Sequence, residues 1–137
     1  MITLDTIRKP VTAELEAFDE FVERQFTAEG ELLSDMLRYA LSSRGKGIRP
    51  LLVLLSAAMN SPVAEAAKGR RVHLAAMLVE MIHVASLIHD DVIDEADMRR
   101  GKPSANARWQ SHKAVILGDY ILARNLSIGL GSGQFDL

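Results

Sequence analysis

Residues 70–94 read "RRVHLAAMLVEMIHVASLIHDDVID", and the order of their side chains decides the fold. Apolar residues recur at steps of three and four, which is the period of an α-helix. The recurring apolar residues are Leu74, Met77, Leu78, Met81, Ala85 and Ile88. The pattern predicts a long helix that starts near Arg70 and ends in an acidic cluster.

Further helical patterns precede this stretch. Apolar residues recur at helical spacing from Val11 to Phe26, and a shorter pattern of the same kind runs from Leu33 to Leu41. The run "PLLVLLSAAM" (50–59) is apolar on all sides, which is typical of a buried central helix. It is about half as long as a membrane span, so no transmembrane segment is expected here.

Glycine and proline indicate where the helices end. The segments "SSRGKGIRP" (42–50) and "RRGKPSAN" (99–106) interrupt the helical period and are predicted to be loops. Pro50 fits the first turn of the helix that follows, and "NSP" (60–62) is expected to end that helix. A last helix is predicted from about Lys113 to Ile128, with a glycine-rich segment after it. Since no strand-like alternation occurs, the sequence predicts an all-α protein.

Length and composition set further bounds. The chain has 137 residues, enough for one domain, and 48% of them are hydrophobic while 25% are charged, as in soluble globular proteins. A net charge of −2 does not indicate nucleic-acid binding. The absence of cysteine excludes disulfides and thiolate metal sites. The N-terminus lacks the pattern of a secretory signal, so a cytoplasmic protein is expected.

The acidic cluster offers carboxylates for a metal ion. Asp90 and Asp94 are one helical turn apart, so their side chains share a face, and Asp91 lies beside them. Mg²⁺ keeps several waters and commonly takes one or two protein carboxylates together with substrate phosphates, which is what this pair offers. A solvated acidic helix end is the alternative interpretation. An EF-hand is excluded because its ligand spacing and central glycine are absent.

Cationic residues near the cluster favour a phosphate ligand. Lys46 and Arg49 lie in a glycine-flanked loop directly before a helix N-terminus, where backbone N–H groups, an ammonium and a guanidinium suit a diphosphate. Arg99 and Arg100 follow the acidic helix end and add further donors. A basic loop that is merely solvated is the alternative.

The histidines differ in what they indicate. His83 lies two helical turns before Asp90 on the same face and could donate to a phosphate. Histidines on apolar helices more often belong to the core, and His89 is interpreted as structural for that reason. His73 and His112 give no functional indication.

Three segments resemble a known family in order and spacing. They are "GKGIRP", "MIHVASLIHDDVIDEADMRRGKPSANARW" and "AVILGDYILARN". From about Leu32 to Ile128 the chain is similar to the N-terminal half of trans-polyprenyl diphosphate synthases, the head-to-tail prenyltransferases. The resemblance implies an antiparallel helical bundle of the isoprenoid synthase type, with residues 1–137 as the N-terminal portion of a single domain.

The resemblance also implies roles for individual residues. Asp90 and Asp94 fall on the Mg²⁺ ligands, with Asp91 alongside, and Arg99 falls where the allylic diphosphate is held. The metal and Arg99 would stabilise the departing diphosphate. The residues that match the isopentenyl diphosphate site are Lys46, Arg49, His83 and Arg100. Small side chains at Ala85 and Ser86, beside the channel for the growing chain, imply a long-chain all-trans product.

Two departures from the family pattern qualify these expectations. The family usually has Gly–Gly–Lys–Arg where this chain has Arg44, Gly45, Lys46 and Gly47, so the family's positive charge directly before Ile48 is missing. The family's second aspartate-rich motif has no counterpart here. We expect a truncated synthase that acts as a homodimer or heteromer. The alternatives are a half-site or non-catalytic subunit of a heteromeric synthase, and a class I terpene cyclase, which the basic loop and arginine pair fit less well.

Overall fold

The computed structural model describes residues 1–60 and 69–135, and most of these residues are helical. The prediction of an all-α protein is confirmed. In chain order the elements are α1 (Leu4–Arg8), a 3₁₀ turn (Lys9–Val11), α2 (Thr12–Gln25), α3 (Glu31–Ser42), α4 (Ile48–Asn60), α5 (Arg70–Ile93), β1 (Met98–Arg99), β2 (Lys102–Pro103), α6 (Ala105–Trp109) and α7 (Ser111–Gly131).

Helix α5 lies at the centre and packs against α7, α4 and α2. Its residues Met77 and Met81 are fully buried, as are Leu117 and Ile121 of α7. Burying a side chain of this kind stabilises the fold by roughly 1.5–3 kcal/mol. The three- and four-residue spacing of apolar residues in the sequence therefore indicates the face of α5 that packs against its neighbours.

Helices α5 and α7 approach closely where α7 has a glycine. A side chain at Gly118 would collide with the imidazole of His89, whose Nε2 lies 3.2 Å from the Val115 carbonyl oxygen and 3.3 Å from a carboxylate oxygen of Asp119. Further along α7, buried Asn125 donates to the carbonyl oxygen of Leu78. His89 thus joins two helices, in agreement with its interpretation as structural.

Several predicted boundaries differ from the structure. The predicted loop 42–50 is shorter, because α3 continues to Ser42 and α4 already begins at Ile48, which puts Pro50 in the first turn as expected. Helix α7 extends beyond the predicted range at both ends and includes Gly129 and Gly131. The expected helix end at "NSP" lies partly outside the described residues.

The prediction that α4 is buried on all sides is wrong. Leu51 and Leu54 are buried, whereas Leu52 and Met59 are 57% and 84% exposed. An apolar run without polar interruptions does not indicate which of its faces packs against the fold. Helix α4 therefore has an apolar surface that the described residues leave uncovered.

The predicted loop 99–106 contains regular structure. Strands β1 and β2 pair antiparallel through Met98 with Pro103 and Arg99 with Lys102, and α6 begins at Ala105. The Ser104 hydroxyl caps α6 by accepting a hydrogen bond from the Ala107 N–H. The segment that follows the acidic helix end is thus a short hairpin leading into a capped helix.

Helices α5 and α7 are long and apolar enough to cross a membrane by length and composition alone. In the structure they pack against each other, and half of the most apolar part of α5 is buried. A core helix of a soluble protein has the same properties, so these two helices are weak evidence for a membrane span.

Candidate functional site

The last turn of α5 presents two exposed carboxylates. The Asp94 N–H donates a 2.8 Å hydrogen bond to the Asp90 carbonyl oxygen, so the helical spacing continues to Asp94 and the two side chains lie on one side. Within residues 1–60 and 69–135 neither carboxylate forms an ion pair. The same part of the chain contains no group of three or more His, Asp or Glu arranged to hold a metal ion. Asp90 and Asp94 are therefore exposed and free of ion pairs in this part of the chain, and their role as metal ligands stays a prediction.

Asp91 has a different environment. It is 5% exposed, and its carboxylate accepts two 2.6 Å hydrogen bonds from Nε and Nη2 of Arg99. This bidentate pair is the main reason why the pKa of Arg99 is raised, so the guanidinium remains charged. Both carboxylate oxygens of Asp91 are occupied by Arg99, and the role of Asp91 beside a metal ion stays a prediction.

Arg100 occupies an unusual backbone position in the hairpin turn. Arg100 and Gly101 have φ angles of 51° and 77°, the combination found in tight two-residue hairpin turns that favour Asn, Asp and Gly. For a residue with a Cβ this conformation costs roughly 1–2 kcal/mol. The Arg100 guanidinium lies against Gly45, in the space that a side chain at position 45 would fill. A strained residue of the hairpin is thus in direct contact with the basic loop.

Contacts with α3 and with the end of α5 hold the hairpin in place. The Tyr39 hydroxyl donates a 2.7 Å hydrogen bond to the Pro103 carbonyl oxygen, and Tyr39 packs edge-on against Trp109. The Arg108 guanidinium lies 4.6 Å from the centre of each ring. The Ser104 hydroxyl donates to the Ala96 carbonyl oxygen over 2.6 Å. The hairpin is therefore fixed beside the acidic helix end.

The backbone of the basic loop is held from several sides. Arg8 donates to the Lys46 carbonyl oxygen. Arg44 donates to the Leu41 carbonyl oxygen over 3.0 Å and to Asp19 over 2.9 Å. The side chain of Arg44 is only 13% exposed. In contrast, Lys46 and Arg49 are exposed and available to a ligand.

His83 lies where the basic loop, the hairpin and the acidic helix end meet. Burial lowers its pKa, and the charges of Arg49, Arg100 and Arg99 lower it further, while the carboxylate of Asp90 opposes them. Because the ordinary value is 6.5, the imidazole is neutral at pH 7 and keeps one N–H donor. The structure thus brings together residues that the sequence analysis selected from three separate segments.

Glu80 belongs to the same region and was not selected from the sequence. It is 2% exposed, and burial raises its pKa, while the charges of Arg44, Arg49 and Arg100 lower it and that of Asp19 raises it. One sequence feature could have indicated Glu80. It is the only acidic residue between positions 70 and 89, in an otherwise apolar helix. Its cationic neighbours come from distant parts of the chain, so local sequence patterns did not reveal them.

The larger described cavity lies beside the basic loop. It has a volume of about 950 Å³, opens to solvent, and is lined by residues of α2, α3 and the loop, with Glu80 in its wall. A smaller cavity of about 50 Å³ lies next to Asp91 and Arg99. Neither Asp90 nor Asp94 lines these cavities, so the acidic helix end is a surface feature of the described chain.

The two residues predicted to affect product length have different surroundings. Ala85 is 2% exposed and belongs to the core, whereas Ser86 is exposed and donates to the Ile82 carbonyl oxygen. Val79 and Ile82, on the same side of α5, are also exposed. Of the two, Ser86 faces outwards beside apolar residues, and the roles of both residues in product length stay predictions.

Comparison with known proteins gives a consistent result. Residues 30–133 match the polyprenyl synthetase family. The chain belongs to this family. A nonaprenyl diphosphate synthase of Mycobacterium tuberculosis is 42% identical over 113 residues, which are 82% of this chain and 32% of that protein. A heptaprenyl diphosphate synthase component 2 of Geobacillus stearothermophilus is 43% identical, again over 82% of this chain and over 34% of that protein.

A solved structure of the family has the same fold. It is a polyprenyl synthase from Caulobacter crescentus in complex with calcium and isoprenyl diphosphate, with a TM-score of 0.78 and 25% identity. The alignment covers 97% of this chain and 39% of that one. This member of the polyprenyl synthetase family thus spans about a third of the length of the curated relatives it matches. The predicted resemblance is confirmed at the level of family and fold.

Proposed function

We propose that this chain provides the N-terminal part of a head-to-tail prenyltransferase, which condenses isopentenyl diphosphate with an allylic prenyl diphosphate to a long-chain all-trans product. One observation carries the proposal. His83 lies within the electrostatic influence of Arg49, Arg99 and Arg100 and also of Asp90. A neutral donor, three guanidinium groups and a carboxylate in one region suit a diphosphate together with its counterion.

Mg²⁺ is the cofactor that fits the acidic helix end. Asp90 and Asp94 are exposed and unpaired within the described residues, and paired carboxylates with room for water and phosphate suit this ion. When bound, Mg²⁺ would neutralise charge on the departing diphosphate. The structural relative from Caulobacter crescentus was solved in complex with calcium and isoprenyl diphosphate, which supports a divalent cation in the proposed site.

The chain's own residues have distinct parts in this reaction. Arg99, held in place by Asp91, keeps a charged guanidinium beside the allylic diphosphate while its C–O bond breaks. Lys46 and Arg49, together with His83 and Arg100, hold the diphosphate of isopentenyl diphosphate so that its double bond reaches the allylic cation. These assignments carry the family's roles to matching positions of this chain.

Binding measurements test the proposal. Calorimetric titration of a prenyl diphosphate should give heat of binding in the presence of MgCl₂ and little without it. Asp90→Ala and Asp94→Ala should each abolish the Mg²⁺ dependence. Exposed Asp35 on α3, which pairs with Arg38, provides the matched control, and Asp35→Ala should bind like the wild type. Equal binding with and without Mg²⁺ would exclude the metal role.

A second candidate is a subunit of a heteromeric synthase. The observation that favours it is the similarity to a protein named heptaprenyl diphosphate synthase component 2. In this case the chain would bind diphosphate but form product only with a different subunit. We propose a cytoplasmic location for either form, and a homodimer for the first. The molecular mass of the purified chain in solution distinguishes a homodimer from a monomer that requires a different subunit.

A further inference from the structure

Glu80 faces the basic loop from the interior of the protein. It lies on α5, is 2% exposed, and its Oε2 has no hydrogen-bond partner within the described residues. A buried carboxylate is unfavourable unless cations compensate its charge. The surroundings of Glu80 must therefore explain why an otherwise apolar part of α5 contains an acid.

Glu80 shares a cavity wall with the basic loop and forms no ion pair with an arginine among the described residues. Glu80, Arg44 and Gly45 line the same cavity, together with Pro50, which directly follows Arg49. The Arg100 guanidinium rests against Gly45. The basic loop, the start of α4 and the hairpin thus come together near the cavity that Glu80 lines.

Electrostatics agree with this arrangement. Burial has the largest effect on the pKa of Glu80 and raises it, which disfavours the carboxylate. The charges of Arg44, Arg49 and Arg100 favour the carboxylate, and Asp19 opposes them. Asp19 is itself paired with Arg44 over 2.9 Å, which weakens its influence. These are the charged groups that act on Glu80 among the described residues.

We propose that Glu80 is a positioning residue whose buried carboxylate orients the guanidinium groups of Arg44, Arg49 and Arg100. Held from the inside, Arg49 and Arg100 present their remaining N–H groups outwards, to a diphosphate. Arg44 replaces a glycine of the family pattern and adds a cation on the inner side of the loop. The orientation of the arginines depends on the fold alone, whereas its consequence for diphosphate binding rests on the proposed function.

The first experiment observes the arginines directly. Arginine Nε–Hε signals of the full 137-residue chain are recorded by NMR for the wild type and for Glu80→Gln, which keeps size and removes charge. Signals of Arg44, Arg49 and Arg100 should shift and broaden, while that of Arg99, bound to Asp91, should stay unchanged. Unchanged signals for the three arginines would overturn the proposal. So would a change spread over all arginines, because it would indicate a packing role only.

The reciprocal experiment keeps Glu80 and is informative even if Glu80→Gln does not fold. The ¹³C shift of the Glu80 carboxyl group is followed over pH in the wild type, in Arg100→Gln and in Arg24→Gln. Arg24 pairs with Glu20 on the surface and serves as the control. Glu80 should be ionised at pH 7 in the wild type, and its pKa should rise in Arg100→Gln only. A protonated Glu80 at pH 7, or no response to Arg100→Gln, would overturn the proposal.

Titration with inorganic diphosphate and MgCl₂ tests the functional consequence. Glu80→Gln should weaken binding about 10-fold, as expected for a residue that orients binding groups, and Glu80→Asp should restore part of the affinity. If the wild type binds no diphosphate while the NMR changes occur, the proposed function fails and the orientation by Glu80 stands. If the wild type binds and Glu80→Gln binds equally well, the consequence for binding is disproved.

Discussion

At the scale of single residues, the adjacent aspartates Asp90 and Asp91 of α5 have different environments. Asp90 is exposed and unpaired among the described residues. Asp91 is buried, and its carboxylate accepts two hydrogen bonds from the guanidinium of Arg99. One step along a helix turns the side chain by about 100°, which moves it from the surface to the interior side. The sequence "DD" therefore combines an exposed carboxylate, which we propose binds a ligand, with a buried carboxylate that is held by Arg99.

Replacing Asp91 tests this division. Asp91→Asn should lower the free energy of unfolding by about 1–3 kcal/mol, because it removes the charge that compensates Arg99, which is partly exposed. Asp90→Asn is the matched control and should change stability by less than about 0.5 kcal/mol. Urea denaturation measures both values. Equal stability of the two variants would contradict a structural role for Asp91.

His73 predicts how stability depends on pH. It is 7% exposed, packs against Phe18 and Phe21, and burial lowers its pKa from 6.5, with Glu14 opposing. The unfolded chain therefore takes up a proton at a higher pH than the folded protein. The contribution of His73 is fully present above about pH 6.5 and is lost as the pH falls through the lowered pKa.

The free energy of unfolding, measured between about pH 7.5 and about pH 5, covers the ordinary pKa of histidine and detects this effect. Stability of the wild type should decrease towards acid, and His73→Gln should show a smaller decrease. Exposed His112 provides the control, since His112→Gln should retain the wild-type slope. An identical slope in His73→Gln and the wild type would show that another group causes the acid dependence.

At the scale of elements, the basic loop and the hairpin form one contact through Gly45 and Arg100. Gly45 and Gly47 both have positive φ angles, of 84° and 58°, but only Gly45 is in contact with Arg100. Alanine at either position should cost about 1–2 kcal/mol of stability, because an L side chain disfavours this backbone conformation. Only Gly45→Ala should in addition displace Arg100.

Comparison of the two variants isolates the role of the contact. Gly45→Ala should weaken Mg²⁺-dependent diphosphate binding more than Gly47→Ala does, although both lose similar stability. Denaturation and calorimetric titration of each variant supply the two values. If both variants lose the same affinity, the position of Arg100 over Gly45 has no part in binding.

The sequence predicted elements that have a strong helical period. The prediction of α5 succeeded because its apolar spacing reports a buried face, and the same holds for α2. The hairpin was missed, since Arg100 and Gly101 form a tight turn without the Asn-Gly or Asp-Gly sequence that usually predicts one. Glu80 was missed because its neighbours are set by tertiary packing.

At the scale of the whole molecule, apolar side chains remain uncovered on several helices. Ile116 and Leu130 of α7 are 61% and 68% exposed, and Leu52 of α4 is 57% exposed. Large exposed apolar surfaces favour association. The 137-residue chain should therefore self-associate as its concentration rises.

Sedimentation velocity over a range of concentrations measures this association. The double variant Ile116→Gln and Leu130→Gln should shift the distribution towards the monomer. Ile2→Gln is the control, because Ile2 is 79% exposed near the N-terminus and lies outside the helices. A monomeric wild type at all concentrations would contradict the expected role of these surfaces.

Catalysis by the 137-residue chain alone should be weak or absent. Within the described residues the proposed metal site would have only Asp90 and Asp94 as ligands, and the exposed apolar side of α5 near Ser86 lacks the enclosed, dry surroundings that an allylic cation needs. A steady-state assay with radiolabelled isopentenyl diphosphate measures turnover. Asp90→Ala should remove any residual turnover that belongs to this chain, so product formed equally by Asp90→Ala indicates contamination. Robust elongation over many turnovers that requires Asp90 would show that the described residues, together with their self-association, suffice for a working site.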